Sequence, residues 1–269
     1  MRVEQYYDLP AAPECPLIDD PLFYLAAVPA VLIFGIAKGG FGGGLGVLGV
    51  PILSLVISPL QAAAILLPIL CVMDLFTMLA YRGHWQWPEL GTLIPGALAG
   101  IAVGTLLFGY LDPAVVKAII GVIAIGFSLQ YWAKLILRGN TVHRSVARGY
   151  GVIAGAVGGF TSMIAHAGGP PVTMYLLRRP VDRTVFIAIT SVFFAVVNYV
   201  KLVPYAWLGQ LSTENMLQSV MLMPLAPLGV GLGVWMHRRV SDRFFFNLAY
   251  ALLLLVGIKL INDAVRGFA

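Results

Sequence analysis

Long runs of apolar residues alternate with short polar segments along almost the whole chain. A helix that spans a bilayer needs about 20 apolar residues, and six runs of that kind predict full spans at about 60–80, 90–110, 113–137, 184–204, 216–236 and 244–262. Two other apolar regions, 22–57 and 149–177, are interrupted and predict helical hairpins that enter the membrane and return. The pattern therefore predicts an all-α integral membrane protein without a sizeable soluble domain.

The first interruption is dense in glycine. Seven of the eleven residues from Gly39 to Gly49 are glycine, with apolar sequence on both sides. Such a segment gives the backbone no side-chain cover, so within lipid it persists only where protein buries it or where it lines a cavity. We therefore expect a broken element in which neither 22–38 nor 51–57 is a full span, with Pro51 at the first position of a short second helix.

A similar spacing of glycine and proline returns in the second half of the chain. Twelve positions separate Gly39 from Pro51, and twelve separate Gly158 from Pro170. Three further matches follow in the same order: Ser58-Pro59 with Arg179-Pro180, Trp85 with Trp207, and 95–104 with 224–233. Four matches in one order indicate a duplication, with a first transmembrane repeat at 22–138 and a second at 148–269 that ends in a short tail.

The distribution of positive charge predicts the orientation in the membrane. Of the 17 Lys and Arg residues, 11 are Lys134 or lie in the loops at 82–89, 138–148, 178–183 and 237–243, which should face the cytoplasm. Pairs such as Arg178-Arg179 are interpreted as part of this signal rather than as substrate contacts. The basic linker 139–147 is then cytoplasmic, and the acidic segment 1–21 is extracytoplasmic and is not a signal peptide.

Three spans and one hairpin per repeat reverse the direction of the chain. The two repeats should therefore have opposite orientations, which is the plan of inverted-repeat transporters. A bacterial inner (plasma) membrane is the expected location.

Composition and motif content exclude several other classes. Hydrophobic residues make up 59% of the chain and charged residues 11%, against about 25% charged in soluble domains. The net charge of +5 is ordinary for positively flanked helices, so nucleic acid is not expected as a partner. Cys15 and Cys71 have no motif spacing, so neither a disulfide framework nor a metal site is indicated, and no cofactor is expected. The absence of nucleophile and metalloprotease motifs argues against an enzyme.

Several short motifs together resemble a known family. They are Lys38-Gly39-Gly40-Phe41-Gly42-Gly43-Gly44, Gly49-Val50-Pro51, Gln61-Ala62-Ala63-Ala64 with Leu67-Pro68, Tyr81-Arg82-Gly83-His84-Trp85, and Gly168-Gly169-Pro170-Pro171. With these motifs the chain resembles the TauE/SafE family of membrane proteins over nearly its whole length after residue 22. The resemblance implies transport of sulfite or an organosulfonate, and therefore a small sulfur oxyanion as substrate.

The residues themselves also indicate an anion. A helix that begins inside the membrane directs unpaired N–H groups and the positive end of its dipole into the protein, and such termini bind oxyanions. Helices that begin near Gly49 and Gly168 would face each other across an inverted repeat. The predicted substrate site comprises Lys38, Gly39, Gly40, Gly43, Gly49, Thr161, Ser162, His166, Gly168 and Gly169. Alternatively, the glycines only permit tight helix crossing.

Each polar side chain of this site allows a second interpretation. Lys38 can neutralise an oxyanion or extend to the membrane interface. His166 can donate to an anion, carry a proton or simply be hydrogen-bonded. Thr161 and Ser162 can bind substrate oxygens or bond back to their own helix.

Asp74 lies within an apolar span, where a buried acid is costly and predicts a function. Asn198 occupies nearly the matching place in the second repeat. An acid that titrates opposite a neutral amide would suit coupling to protons, so the two are predicted coupling residues. Alternatively, Asp74 pairs with Arg82 or Lys38 or caps a neighbouring helix end.

The sequence as a whole predicts a secondary carrier for a small sulfur oxyanion. A channel, or a carrier for another small anion, would use the same helix dipoles and is the alternative. The exact substrate, the direction of transport and the coupling ion stay open. A homodimer is compatible with the sequence.

Overall fold

The computed structural model describes residues 20–42, 46–108, 113–136, 147–237, 239 and 242–268. In these ranges all regular structure is helical. In chain order the helices are α1 (Pro21–Phe41), α2 (Gly49–Leu53), α3 (Pro59–Ala80), α4 (Trp87–Phe108), α5 (Pro113–Ile136), α6 (Gly149–Ala165), α7 (Gly169–Leu176), α8 (Arg183–Trp207), α9 (Thr213–Leu222), α10 (Leu225–His237) and α11 (Asp242–Phe268). A short 3-10 turn, Gly46–Leu48, precedes α2. Most of the acidic segment, most of the basic linker and Gly43 lie outside the described residues.

Four helices begin at a polar residue that caps the first turn. The side chains of Asp20, Ser58, Asp182 and Ser212 accept hydrogen bonds from backbone N–H groups at the starts of α1, α3, α8 and α9. These bonds satisfy donors that would otherwise have no partner. Short polar residues in an apolar chain therefore mark where several helices start.

The helices are long and apolar enough for a membrane protein. Helices α1, α3, α4, α5 and α8 each have the length and composition to cross a membrane, and α9 with α10 makes a sixth if the bent pair is one span. Helices α3, α4, α5 and α8 match four predicted spans, and α11 covers a fifth. The chain is an all-α, multi-pass integral membrane protein, as predicted.

The span predicted at 216–236 is not one unbroken helix. The chain forms α9 and α10 there, with a bend of 43° between them. Pro224 lies at the break between the two helices. Proline cannot donate a backbone hydrogen bond, and its ring clashes with the preceding turn, which explains the break.

The prediction that residues 22–38 fall short of a span is also wrong. Helix α1 continues through Lys38, Gly39 and Gly40 and ends only at Gly42, which has φ 68°. The glycines stay helical because the backbone of α10 packs directly against them. Helix α2 begins at Gly49, so Pro51 is its third residue and not its first. The second predicted hairpin is confirmed as α6 and α7, which turn between Ala165 and Gly169.

Each half of the chain packs its first helix against a helix of the other half. The first helix of each half packs most closely on the third long element of the other, α1 against α10 and α6 against α4. The matching helices α3 and α8 pack on each other, as do α5 and α11. This reciprocal packing is what a duplicated chain gives when its two copies are related by a two-fold axis. The opposite orientation of the repeats stays a prediction.

Candidate functional site

A buried ion pair joins the first hairpin to α3. The Lys38 ammonium, on α1, contacts Asp74 Oδ1 on α3, and the Asn198 amide on α8 donates to Asp74 Oδ2 at 2.6 Å. Asp74 is 0% exposed, Asn198 2% and Lys38 6%. The predicted coupling residues therefore touch each other, and the alternative pairing of Asp74 with Lys38 is present.

A second buried lysine lies one turn further along α8. Lys201 is 0% exposed, and its ammonium lies 3.0 Å from the Ser162 carbonyl oxygen, 2.9 Å from Ser162 Oγ and 2.7 Å from His166 Nδ1. An ammonium has three N–H donors, so each meets an acceptor here. Lys201 thus fixes both the last turn of α6 and the residue that follows it.

His166 turns the chain at the end of α6. Its φ is 51°, the one positive φ of a non-glycine residue in the described ranges. Its N–H donates to the Ser162 carbonyl and the Ala167 N–H donates to the Thr161 carbonyl, which closes the helix end. The ring Nε2 lies 2.9 Å from the Ala63 carbonyl oxygen on α3. Because non-glycine residues seldom adopt this conformation, the position is a candidate for function.

The group formed by Lys38, Asp74 and Asn198 and the group formed by Lys201, Ser162 and His166 face one small cavity. Its lining includes Lys38, Ser162, His166 and Asn198, and the rings of Phe34 and Phe194 close it together with Leu70. Its volume is about 10 Å³, which is about the space of one water molecule. A sulfur oxyanion is larger, so this conformation is closed around the polar groups.

Most of the predicted glycines serve helix packing. A Cβ atom on Gly39 or Gly40 would press against the backbone of Val230 or Gly233 on α10. Gly49 lies against the ring of Phe34.

The second turn is packed in the same way. A Cβ atom on Gly168 would press against Gly158 on α6, and Gly169 begins α7. The hydroxyl of Thr161 donates to the Val157 carbonyl at 2.8 Å, so it bonds back to its own helix. The glycines thus lie at tight helix crossings, as in the alternative interpretation, whereas Lys38, Ser162 and His166 line the cavity.

The two hairpins contact each other, because the 3-10 turn Gly46–Leu48 packs on α7. Helix α2 has only five residues and α7 has eight. The backbone of both turns was predicted to approach one site, but the polar side chains around the cavity come from the longer helices and from His166.

A separate ion pair ties α4 to the segment after α7. Arg179 donates to Glu89 Oε1 from Nε and Nη2 at 3.0 and 2.9 Å, and Tyr175 donates to Oε2 at 2.6 Å. The hydrogen bonds with Glu89 raise the pKa of the Arg179 guanidinium above its usual value. A cavity of about 330 Å³ lies next to this pair and is lined by Arg179, Arg183 and Gly40. Arg179, predicted as a topology signal, therefore also has a structural partner.

Sequence reasoning missed Lys201. The rule applied to Asp74, that an ionisable residue inside an apolar span predicts a function, would have found it, because Lys201 lies in the predicted span 184–204. It also lies three residues after Asn198, so the two share one face of α8.

Comparison with known proteins gives one match. A family model described as Sulfite exporter TauE/SafE matches residues 27–260. No curated protein and no solved structure matches the chain. The matched range contains the second hairpin, most of the first and every residue named around the cavity.

Proposed function

Because the chain belongs to the sulfite exporter TauE/SafE family, a family of membrane transporters, we propose that it carries a small sulfur oxyanion, sulfite or an organosulfonate, across the membrane. The expected membrane is the bacterial inner membrane. The observation that carries the proposal is the pair of buried lysines beside one cavity. Buried lysines are costly in a membrane protein and need a compensating partner, and a transported anion supplies one.

One lysine lines the cavity, and the other is bound to two residues that line it. Lys38 lines it directly, and Lys201 lies behind Ser162 and His166, which line it too. Asn198 adds an amide donor. The predicted site residues Lys38, Ser162 and His166 thus form the proposed binding site, with Gly39, Gly40, Gly49, Gly168 and Gly169 holding the helices that present them.

The closed cavity supports a carrier over a channel. A space of about 10 Å³ admits no sulfur oxyanion, so the anion binds only after the surrounding helices move. A carrier needs such a movement in each cycle, whereas an open channel does not. Opposite orientation of the two repeats would let the same movement open the site to either side.

Protons are the proposed coupling ion. The Asp74 carboxylate touches Lys38 and Asn198 from two different helices. Protonation would remove the charge that holds Lys38 and so free this lysine for the anion. The larger cavity lined by Arg179 and Arg183 is the proposed route to the cytoplasm, because Arg183 attracts anions there while Arg179 is paired with Glu89.

Counterflow tests transport directly. Purified protein in proteoliposomes loaded with unlabelled sulfite should accumulate labelled sulfite against its gradient, and external methanesulfonate should compete. Protein-free vesicles give the background. Absence of counterflow for every sulfur oxyanion would contradict the proposed function, and stepwise single-channel currents would favour the channel alternative.

The site is tested by a matched pair of lysine variants. Lys38→Met should weaken sulfite binding by roughly 1–3 kcal/mol because it removes a desolvated charge. Lys259→Met removes a lysine that is exposed and paired with Asp263 on α11, so its affinity should stay unchanged. Calorimetric titration of detergent-purified protein measures both. Equal affinities in two well-folded variants would show that the site lies elsewhere.

A further inference from the structure

With both lysines protonated and its carboxyl group ionised, the polar cluster around the cavity carries one net positive charge. Its charged members are Lys38, Lys201 and Asp74, two cations and one anion. Among the described residues, the other buried charged side chain is Glu89, which is paired with Arg179 in a different contact. The excess charge of the cluster is therefore not cancelled by a neighbouring buried acid in the described part of the chain.

His166 adds no charge to this cluster. Its Nε2 lies 2.9 Å from the Ala63 carbonyl oxygen, which only accepts, so Nε2 carries a hydrogen. Its Nδ1 lies 2.7 Å from the Lys201 ammonium, which only donates, so Nδ1 accepts. A ring with one donor and one acceptor nitrogen is neutral.

A closed, desolvated site strongly favours charge balance. Two unlike charges attract, and an uncompensated charge costs much more in a low-dielectric interior than in water. A bound monovalent anion brings the cluster to neutrality. A bound divalent anion leaves one uncompensated negative charge inside the membrane protein.

We propose that the site selects its substrate by charge: it takes monovalent oxyanions, such as a sulfonate or hydrogen sulfite, and takes a divalent oxyanion only together with a proton on Asp74. This inference rests on the proposed function. When Asp74 is neutral the cluster holds two positive charges, which match a divalent anion. The ionisable groups of the described residues that surround Asp74 are Lys38 on α1, Lys201 and Tyr199 on α8 and Cys71 on its own helix.

Methanesulfonate and sulfate test the inference, because both are tetrahedral sulfur oxyanions and they differ by one unit of charge. Calorimetric titration at neutral pH and constant ionic strength gives the affinity of detergent-purified protein for each. The natural sequence should bind methanesulfonate at least about tenfold more tightly than sulfate. In Asp74→Asn this ratio should fall at least about tenfold, because the cluster gains one positive charge.

The matched control is the double variant Lys38→Gln, Asp74→Asn. It removes one cation and one anion, so the net charge returns to that of the natural sequence and the preference for methanesulfonate should return. Asp263→Asn makes the same carboxylate-to-amide change at the exposed pair with Lys259 and should leave the ratio unchanged. If the single and double variants give the same ratio of methanesulfonate to sulfate affinity, the ratio depends on the loss of Asp74 and not on the net charge. That result would overturn the inference.

The other outcomes separate this inference from the proposed function. Tight sulfate binding by the natural sequence, or an unchanged ratio in Asp74→Asn, overturns charge selection while anion binding stands. If neither methanesulfonate nor sulfate binds the natural sequence, the inference and the proposed function are both overturned. If Asp74→Asn does not fold, Lys201→Gln tests the inference instead. The cluster is neutral in this variant, so methanesulfonate should bind at least about tenfold more weakly than to the natural sequence. Unchanged binding overturns the inference.

Discussion

Asp74 illustrates how one residue can connect several helices. Its two carboxylate oxygens bind Lys38 on α1 and Asn198 on α8, while Asp74 itself belongs to α3. A change in its charge therefore alters contacts between three helices at once. Lys201 holds the neighbouring part of the polar cluster through Ser162 and His166, so both parts meet at one cavity.

Asp74→Asn should abolish proton-linked uptake while leaving substrate exchange largely intact, because exchange does not require net movement of the proton. Sulfite uptake driven by a pH gradient and sulfite counterflow without a gradient measure the two activities in the same proteoliposomes. Asp263→Asn is the control. Equal loss of both activities in correctly folded protein would assign Asp74 a structural role.

At the scale of the helices, glycine allows two pairs to approach closely. On α1 and α10 the contact includes Gly35, Gly39 and Gly233, and on α6 and α4 it includes Gly155 and Gly159. The backbones touch where a side chain would otherwise separate them, as is common in membrane helix packing. The repeated glycine pattern of the sequence thus corresponds to repeated helix crossings.

Gly39→Ala should lower stability by about 1–3 kcal/mol, because the new methyl group would overlap the Val230 backbone. Gly159→Ala, which would overlap Ala97 on α4, should have a similar cost. Gly231→Ala on α10 is the control: no atom lies within 4 Å of the added methyl, so stability should stay or rise by up to about 1 kcal/mol. Thermal unfolding in detergent compares the three, and identical melting temperatures would contradict this packing.

At the scale of the whole molecule, the described helices give a bundle in which each half of the chain completes the other. Helix α1 packs on α10 and α6 packs on α4, and the cavity lies where residues of α1, α3, α6 and α8 meet. Neither half alone holds the site. Sidedness is not visible in the packing and stays a prediction from the distribution of Lys and Arg.

The predicted topology places Cys15 outside the cell and residue 145 in the cytoplasm. An impermeant maleimide should label the natural chain in intact cells through Cys15, because Cys71 is buried. Cys15→Ser should remove that labelling. The double variant Cys15→Ser, Ser145→Cys should be labelled only after the cells are permeabilised. Labelling of residue 145 in intact cells would show that the orientation is reversed.

The sequence by itself determined the all-α membrane class and most of the spans, because burial in lipid demands long apolar helices and leaves a strong local pattern. It also identified Asp74, Asn198, Ser162 and His166, since polar groups are conspicuous in such a pattern. The tertiary structure decided which of them meet. It showed that Lys38 pairs with Asp74, that Lys201 contacts His166, and that glycines expected at the anion pack helices. These facts depend on contacts between residues far apart in the chain, which no local pattern encodes.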